Sequence, residues 1–459
     1  MLPTTLLLLL HAALSAAQTR QTLSIDSVAP AQDPNPPFFT IPTAATPLAI
    51  SIALCSGTVD TAVPRFFVSN SSADASNDPG PGGGGVFEIV LDNNVQGSWT
   101  GAFPSGGVLG VADAGQMPFE IGVSSGAPLH QPVATPPLLG DTTATQALLF
   151  SAPFAPQSPQ DPTYPNYTLP DAEPAVPAAP ANPVNNTVVV LPTTNSSSAG
   201  TPQTACMLLA QKPSGTVVNE SLWLRDAAGW RTEWLLDGLS PNTNYTAYVV
   251  ESSHKVSGPI YFTTKSPSFT CPLVSRLPYC PSIAYAMPLP SPPNSQPSYD
   301  GTTFPASIAA PLLSSLTNFT TTLTTFACGR DQYSPLVTCA DCQRAYRTWL
   351  CTVSLARCAD ATTAPPGAAV LPSLPPNARN AAFPAGAAAA QLLPCLETCT
   401  ATDRACPNFL GFRCPLPRFN AAQSYGVGFV DSGLDGVEGL GSTGTWADIY
   451  GNVWCNSGQ

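Results

Sequence analysis

The sequence predicts a β + α protein, with a β-sandwich-like N-terminal region followed by a disulfide-rich helical region. Only Cys55 and Cys206 of the 14 cysteines precede residue 270. The part before residue 270 has 18 acidic and 7 basic residues, whereas the part after it has 10 acidic and 9 basic residues. Most of the net charge of −12 therefore belongs to the first region. The 53 prolines and 34 glycines break long helices along most of the chain. We therefore expect a β-rich region over 18–265 and a cysteine-rich domain over 266–459, joined near 266–270.

Short apolar or alternating runs, separated by Gly, Pro, Asn and Asp, predict the strands of the first region. The runs lie at 48–54, 63–68, 86–91, 119–123, 147–150, 188–191 and 204–209. Residues 155–183 are too rich in proline to supply continuous sheet hydrogen bonds, so we expect a linker or a long crossing loop there.

Apolar residues at three- and four-residue steps predict three helices in the cysteine-rich region, over 306–326, 339–355 and 392–402. In the second of these, the spacing places Cys339 and Cys342 on one face and Arg344 and Arg347 on the other. Residues 359–390 form an Ala/Pro-rich insertion without a plausible core, which predicts a surface loop.

Residues 1–17 have the leucine-rich core and small terminal residues of a secretory signal peptide, although no Lys or Arg precedes the core, so an uncleaved anchor is the alternative. No second apolar run approaches the ~20 residues of a membrane-spanning helix, and the polar C-terminal residues lack the tail of a GPI signal. We therefore expect a glycoprotein on the extracellular side of the membrane that cannot line a pore alone. The N-glycosylation sequons are at Asn70, Asn166, Asn185, Asn195, Asn219, Asn244 and Asn318.

An oxidising compartment favours structural disulfides among the cysteines. Spacing cannot give the pairing, and Cys55 and Cys206 either pair or remain unpaired. The Cys339-x2-Cys342 spacing also suits zinc or a redox motif, but a second cysteine pair at finger spacing and a βαβ setting are both missing, so we expect no metal or cofactor. The twelve cysteines expected to pair are Cys271, Cys280, Cys328, Cys339, Cys342, Cys351, Cys358, Cys395, Cys399, Cys406, Cys414 and Cys455.

Catalytic residues are sparse, which predicts a protein that is not an enzyme. His130 and His254 are the histidines beyond the signal segment, and we expect both in surface loops. The Asp431-Ser-Gly sequence resembles half of an aspartic protease site but has no second copy, and Asp431, Asp435 and Glu438 lack the ligand spacing of a calcium loop. A secreted cell-wall enzyme or a structural wall glycoprotein is the alternative, and the acidic charge argues against nucleic acid.

Residues 222–264 resemble the end of a fibronectin type III sandwich, where a tyrosine fixes the corner before a core strand. The segment that carries the likeness is 239–250, Leu-Ser-Pro-Asn-Thr-Asn-Tyr-Thr-Ala-Tyr-Val-Val. Any β-hairpin with a Pro-Asn turn is the alternative.

The stretch from Asn318 to Cys358, with Thr338-Cys-Ala-Asp-Cys-Gln-Arg-Ala-Tyr-Arg-Thr-Trp-Leu-Cys351, resembles the cysteine-rich region of the fungal stretch-activated calcium-channel component, the Mid family. The likeness continues through Leu393-Pro-Cys395, Cys406-Pro and Tyr425-Gly426. It implies an accessory subunit of a plasma-membrane calcium channel that passes through the endoplasmic reticulum and binds the extracellular side of a voltage-gated-type pore-forming subunit.

The same resemblance implies a frizzled-like cysteine-rich domain and a role in calcium influx under stretch or stress. We expect Arg344, Arg347 and Trp349 to be partner-binding residues, because Arg and Trp are enriched at binding hot spots. The alternative for Trp349 is a core position beside Leu350.

Overall fold

The computed structural model describes residues 20–458 with internal gaps. The gaps are 33, 35–36, 57–62, 71–78, 94, 114–115, 158–167, 194–202, 253, 327, 329–332, 372–389, 417–418, 429–445 and 449–450. The chain divides into two compact units, Met1–Gln131 with Gly200–Ala210, and Pro132–Ala199 with Gln211–Gln459. The second unit contains β-sheets as well as the cysteine-rich helices. The predicted change of architecture at 266–270 therefore lies inside this unit.

The first unit is a sandwich of two sheets. One sheet has the order β1-β3-β8-β5-β6 and the other the order β2-β9-β4-β7. Ring contact between Phe66 and Phe119, with centroids 5.1 Å apart, joins the two sheets across a core of buried aliphatic and aromatic side chains. The strands are β1 (Gln21–Thr22), β2 (Ser27–Ala31), β3 (Phe38–Ile41), β4 (Leu48–Leu54), β5 (Arg65–Ser69), β6 (Val86–Ile89), β7 (Gln96–Gly101), β8 (Gly107–Ala112) and β9 (Phe119–Ser124).

The predicted strand at 204–209 is wrong, because Ala205–Leu209 form the short helix α1. Thr204 begins this helix, and its side-chain oxygen accepts a hydrogen bond from the backbone N–H of Met207. The same hydroxyl donates to the carbonyl oxygen of Leu54 at 2.6 Å. A local cap and a contact with the end of β4 thus override the β-like composition.

The second unit begins with another pair of sheets, ordered β10-β17-β16-β13 and β11-β12-β15-β14. Trp234 of one sheet and Phe262 of the other lie in the same buried cluster, which makes this pair a second sandwich. The strands are β10 (Pro132–Val133), β11 (Leu138–Thr142), β12 (Ala147–Phe150), β13 (Asn186–Pro192), β14 (Thr216–Asp226), β15 (Gly229–Asp237), β16 (Asn244–Glu251) and β17 (Lys255–Thr263).

Three longer helices and five two-residue strands complete this unit. The helices are α2 (Ala306–Thr324), α3 (Cys339–Ser354) and α4 (Leu396–Ala405), and the strands are β18 (Leu273–Val274), β19 (Tyr285–Ala286), β20 (Arg357–Cys358), β21 (Val370–Leu371) and β22 (Gln391–Leu392). Strands β18 and β19 pair, and β20, β22 and β21 form a sheet in that order. No helix among the described residues combines the length and apolar character needed to cross a bilayer.

The third helix was predicted to begin at residue 392, but α4 begins at Leu396. Gln391–Leu392 form β22 and pair with β20 and β21 instead. The predicted surface loop at 359–390 contains β21, and Ala359 within it is buried. Residues 372–389 of that loop lie outside the described residues.

Candidate partner-binding surface around helix α3

All 14 cysteines are paired in seven disulfides, which fixes the pairing that spacing left open. Helix α3 carries three of them, through Cys339, Cys342 and Cys351. The pairs are Cys55–Cys206, Cys271–Cys358, Cys280–Cys351, Cys328–Cys339, Cys342–Cys406, Cys395–Cys455 and Cys399–Cys414. Helix α3 is therefore bonded covalently to the segment after α2, to the end of α4 and to the loop at Cys280.

A capping box starts α3. The Thr338 side chain accepts a hydrogen bond from the backbone N–H of Asp341, and the Asp341 carboxylate accepts one from the backbone N–H of Thr338 at 2.8 Å. Burial raises the pKa of Asp341, but the hydrogen bonds from Thr338 and Arg344 outweigh it and hold the pKa below its usual value. The Asp341 carboxylate lies in the first turn, where its negative charge interacts favourably with the positive end of the helix dipole.

Arg347 holds three backbone carbonyls together. Its guanidinium donates to the carbonyl oxygens of Ala172 at 2.6 Å, Asp171 at 2.7 Å and Tyr279 at 3.0 Å. Burial among these groups lowers the pKa of Arg347. Arg347, which the sequence predicts as an interface residue, thus hydrogen-bonds to backbone groups of this same chain.

The proline-rich segment is attached to the helices at its C-terminal part. Gln343 donates to the carbonyl oxygen of Pro170 at 2.7 Å and to the hydroxyl of Thr320 at 2.8 Å, and Leu169 is buried beside α2 and α3. Sequence reasoning missed this contact. The signal that could have found it is Leu169, an apolar residue placed within a run of prolines.

Trp349 lies in an aromatic cluster. Its indole N–H donates to the hydroxyl of Tyr425 at 2.9 Å, and its ring meets Phe412 edge-on with centroids 4.9 Å apart. Tyr346 lies between Trp349 and Phe319, stacked on the latter with centroids 3.5 Å apart. The half-buried Trp349 therefore links α3 to the segments after α4.

The outer face near the start of α3 carries exposed side chains. Arg344 is 45% exposed and forms an ion pair with Asp341. Leu336, two residues before the helix cap, is 89% exposed, and Phe409 is 58% exposed. The Phe409 ring contacts Phe326 at a centroid distance of 4.4 Å, and it contacts Tyr333 in the loop before α3. We call Leu336, Arg344 and Phe409 the α3 surface.

His130 is not in an exposed loop position, which corrects the expectation from the sequence. It is 3% exposed, with Nδ1 3.1 Å from the Ser51 hydroxyl and Nε2 3.3 Å from the Glu120 carboxylate. His254 follows strand β16 and is half-buried. The predicted features at Asp431, Asp435 and Glu438 lie outside the described residues.

Five of the seven sequon asparagines lie among the described residues. Asn185, Asn244 and Asn318 are exposed, and Asn70 and Asn219 are half-buried. Asn166, Asn195 and the signal segment at 1–17 lie outside the described residues. Modification of these sequons stays a prediction.

Residues 108–435 match the Mid1 family, described as a stretch-activated Ca2+-permeable channel component. The match covers more than two thirds of the chain. This chain belongs to that family.

Three fungal relatives carry the names of stretch-activated cation channels. The chain is 31% identical over 390 residues to MID1 of Cryptococcus neoformans, covering 74% of this chain and 62% of that protein. It is 32% identical to yam8 of Schizosaccharomyces pombe and 30% identical to MID1 of Saccharomyces cerevisiae, covering 45% and 39% of this chain. These matches span 44% and 34% of the two relatives, so this chain corresponds to part of each relative's length.

Among solved structures, a purple acid phosphatase from yellow lupin aligns with 51% of this chain and 38% of its own at 12% identity. Its TM-score of 0.17 is too low for an argument about fold or activity. The Mid1 relatives are named as channels and not as enzymes.

Proposed function

We propose that this chain is an accessory subunit of a plasma-membrane calcium channel and supports calcium influx under stretch or stress. In this proposal it binds the extracellular side of a voltage-gated-type pore-forming subunit. Membership of the Mid1 family, over residues 108–435, is the observation that carries the proposal. That family is described as a channel component, which is a role within an assembly.

The disulfides and sequons support an extracellular position. Seven disulfides persist only in an oxidising compartment such as the secretory pathway and the cell exterior. Asn185, Asn244 and Asn318 are exposed, which agrees with sequons that carry glycans in this proposal. Residues 1–17 direct the chain to this pathway as a signal peptide in this proposal.

The α3 surface is the docking site for the channel. Leu336 and Phe409 offer apolar area that the fold leaves exposed, and Arg344 adds an exposed charge on α3. Arg347 and Trp349 support this docking site indirectly. Their hydrogen bonds to the 171–172 segment and to Tyr425 hold α3 in place.

Two finer fold assignments belong to the same proposal. The second sandwich is fibronectin type III-like, supported by the backbone N–H of Ser240 donating to the Tyr245 hydroxyl at 2.9 Å, five residues along the chain at a corner before β16. The helical region is frizzled-like, supported by its three helices and by six disulfides between residues 271 and 455.

The deciding experiment is calcium uptake in fungal cells that carry or lack this chain, each with and without the pore subunit, after a secretory-pathway or membrane stress. Uptake that requires both chains supports the accessory role. Stretch-evoked uptake from this chain alone would overturn it.

Docking is tested separately by co-purification of the pore subunit with Leu336→Asp and Phe409→Asp. Each introduces a charge at an exposed apolar side chain, so we expect loss of co-purification with normal secretion. Val90→Asp is the matched control, because Val90 is 76% exposed and lies in the first unit. Equal recovery with all three variants would contradict the assignment of the α3 surface.

A further inference from the structure

A cavity of about 300 Å³ opens between the second sandwich and the β20–β22 sheet. Four charged side chains line it, Asp141, Lys265, Arg357 and Asp360. One wall is completed by Gly451, whose backbone is in the left-handed region and lies so close to β17 that an added Cβ would be 2.8 Å from the carbonyl oxygen of Tyr261.

The two carboxylates are already occupied by donors. Asp141 accepts hydrogen bonds from Lys265, Arg357 and the backbone N–H groups of Thr142 and Ala286. Asp360 accepts from the backbone N–H and the hydroxyl of Thr362 and from the backbone N–H of Ser266. Little acceptor capacity therefore remains on either group.

The two cations keep donor capacity. Arg357, 2% exposed, uses Nε for Asp141 and Nη2 for the carbonyl of Gly140, while its buried Nη1 has no hydrogen-bond partner among the described residues. Its guanidinium lies beside the rings of Tyr285 and Trp446. Among the described residues, the Lys265 ammonium donates to Asp141 at 2.6 Å and lies 4.4 Å from the centre of the Phe269 ring. Its side chain is 12% exposed, so a solute can reach it. An unpartnered buried donor calls for a ligand or an ordered water.

We propose that this cavity binds a small organic carboxylate, held by Lys265 and Arg357. A carboxylate offers paired acceptors that match the planar guanidinium and the ammonium. The apolar side chains of Leu139, Leu392 and Val453 share the lining and would contact the carbon skeleton, which a phosphate or sulfate ion lacks. The volume is at the lower end for small-molecule sites, so the ligand is small. This site is separate from the α3 surface and does not depend on the channel role.

The test measures thermal unfolding and calorimetric titration of the secreted full chain with propionate, succinate and glucuronate, and with inorganic phosphate and sulfate at equal ionic strength. We expect saturable binding and a raised unfolding midpoint with at least one carboxylate and no saturable response to the inorganic ions. Saturable binding of phosphate or sulfate as tight as that of the carboxylates would overturn the proposal, as would no saturable binding of any carboxylate.

Two variants locate the binding. Lys265→Gln removes one cation and should weaken the carboxylate at least about tenfold, the equivalent of one charge-assisted hydrogen bond. Ala364→Phe fills the cavity from a half-buried lining position and leaves the ion pairs intact, so it keeps the assignment testable if Lys265→Gln unfolds. Lys212→Gln, at an exposed lysine, is the control and should bind like the unmodified chain. Unchanged binding in Ala364→Phe would exclude this cavity.

Discussion

Trp349 and Tyr425 are joined by a hydrogen bond of 2.9 Å from the indole N–H to the phenol oxygen. Trp349 belongs to α3, whereas Tyr425 follows the short 3-10 helix Ala421–Gln423 and is packed with Leu396 and Cys399 of α4. The contact thus connects two helices at a point that no disulfide bridges directly. The aromatic cluster therefore contributes to the packing of the helical region.

Replacing Tyr425 with Phe should destabilise the second unit by about 1 to 3 kcal/mol, because the half-buried indole N–H loses its acceptor. Trp349→Phe removes the donor instead, and the double variant should lose less than the two single losses added together. Denaturant unfolding followed by circular dichroism measures all three. Additive losses would show that the two side chains act independently.

Arg347→Met should destabilise the second unit by about 2 to 4 kcal/mol, because three carbonyl oxygens lose a charged donor. The loss should be accompanied by faster amide hydrogen exchange around 168–173, since that segment loses its attachment to α3.

Arg344→Met is the matched control on the same helix. Arg344 is 45% exposed and pairs with the neighbouring Asp341, so its replacement should change stability by less than about 0.5 kcal/mol. If both variants lost the same stability, the anchoring role of Arg347 would be refuted.

The strands and helices that the sequence predicts are those with clear periodicity. The runs at 48–54 and 147–150 coincide with β4 and β12, and helices α2 and α3 begin at the predicted residues 306 and 339. These segments carry their apolar pattern locally. Strand β8, Gly107–Ala112, was not predicted, because two glycines dilute the pattern and its burial comes from pairing with β3 and β5.

The candidate site was predicted less completely, because its contacts join residues far apart in the chain. The sequence indicates Arg347 and Trp349 as important, but their partners Ala172 and Tyr425 are 175 and 76 positions away. Disulfide pairing could not be predicted for the same reason, since spacing alone allows many connectivities. Contacts between distant segments of the chain decide that Arg347 and Trp349 pack within the protein, and these contacts cannot be predicted from local sequence.

The disulfides at the first turn of α3 allow a matched comparison. Cys342–Cys406 joins residues 64 positions apart and Cys328–Cys339 joins residues 11 apart. Because a crosslink restricts the unfolded chain more when it closes a longer loop, replacing the first pair with alanines should cost about 1.5 kcal/mol more than replacing the second. Denaturant unfolding of the two double variants gives this difference. A larger loss from the short-range pair would show that native contacts, not chain entropy, dominate.

Asp141 should make the second unit sensitive to acid. Burial raises the pKa of its carboxyl, but Arg357 and Lys265 outweigh burial and hold the pKa at about 2. An unfolded aspartate has a pKa of about 3.9, so the ion pairs contribute fully above that pH and are lost as pH falls toward 2. The shift corresponds to about 2 kcal/mol of stability lost over this range.

The measurement is the free energy of unfolding from pH 2 to pH 7, followed by fluorescence, since six of the seven tryptophans lie in the second unit. Asp141→Asn should lower stability at neutral pH, because two buried cations lose their shared carboxylate, and should flatten the acid-dependent loss. Asp403→Asn is the control, because Asp403 is half-buried, its partner Arg413 is exposed, and the two are 4.0 Å apart, a geometry that contributes little. An unchanged acid slope in Asp141→Asn would mean that other carboxylates govern acid unfolding.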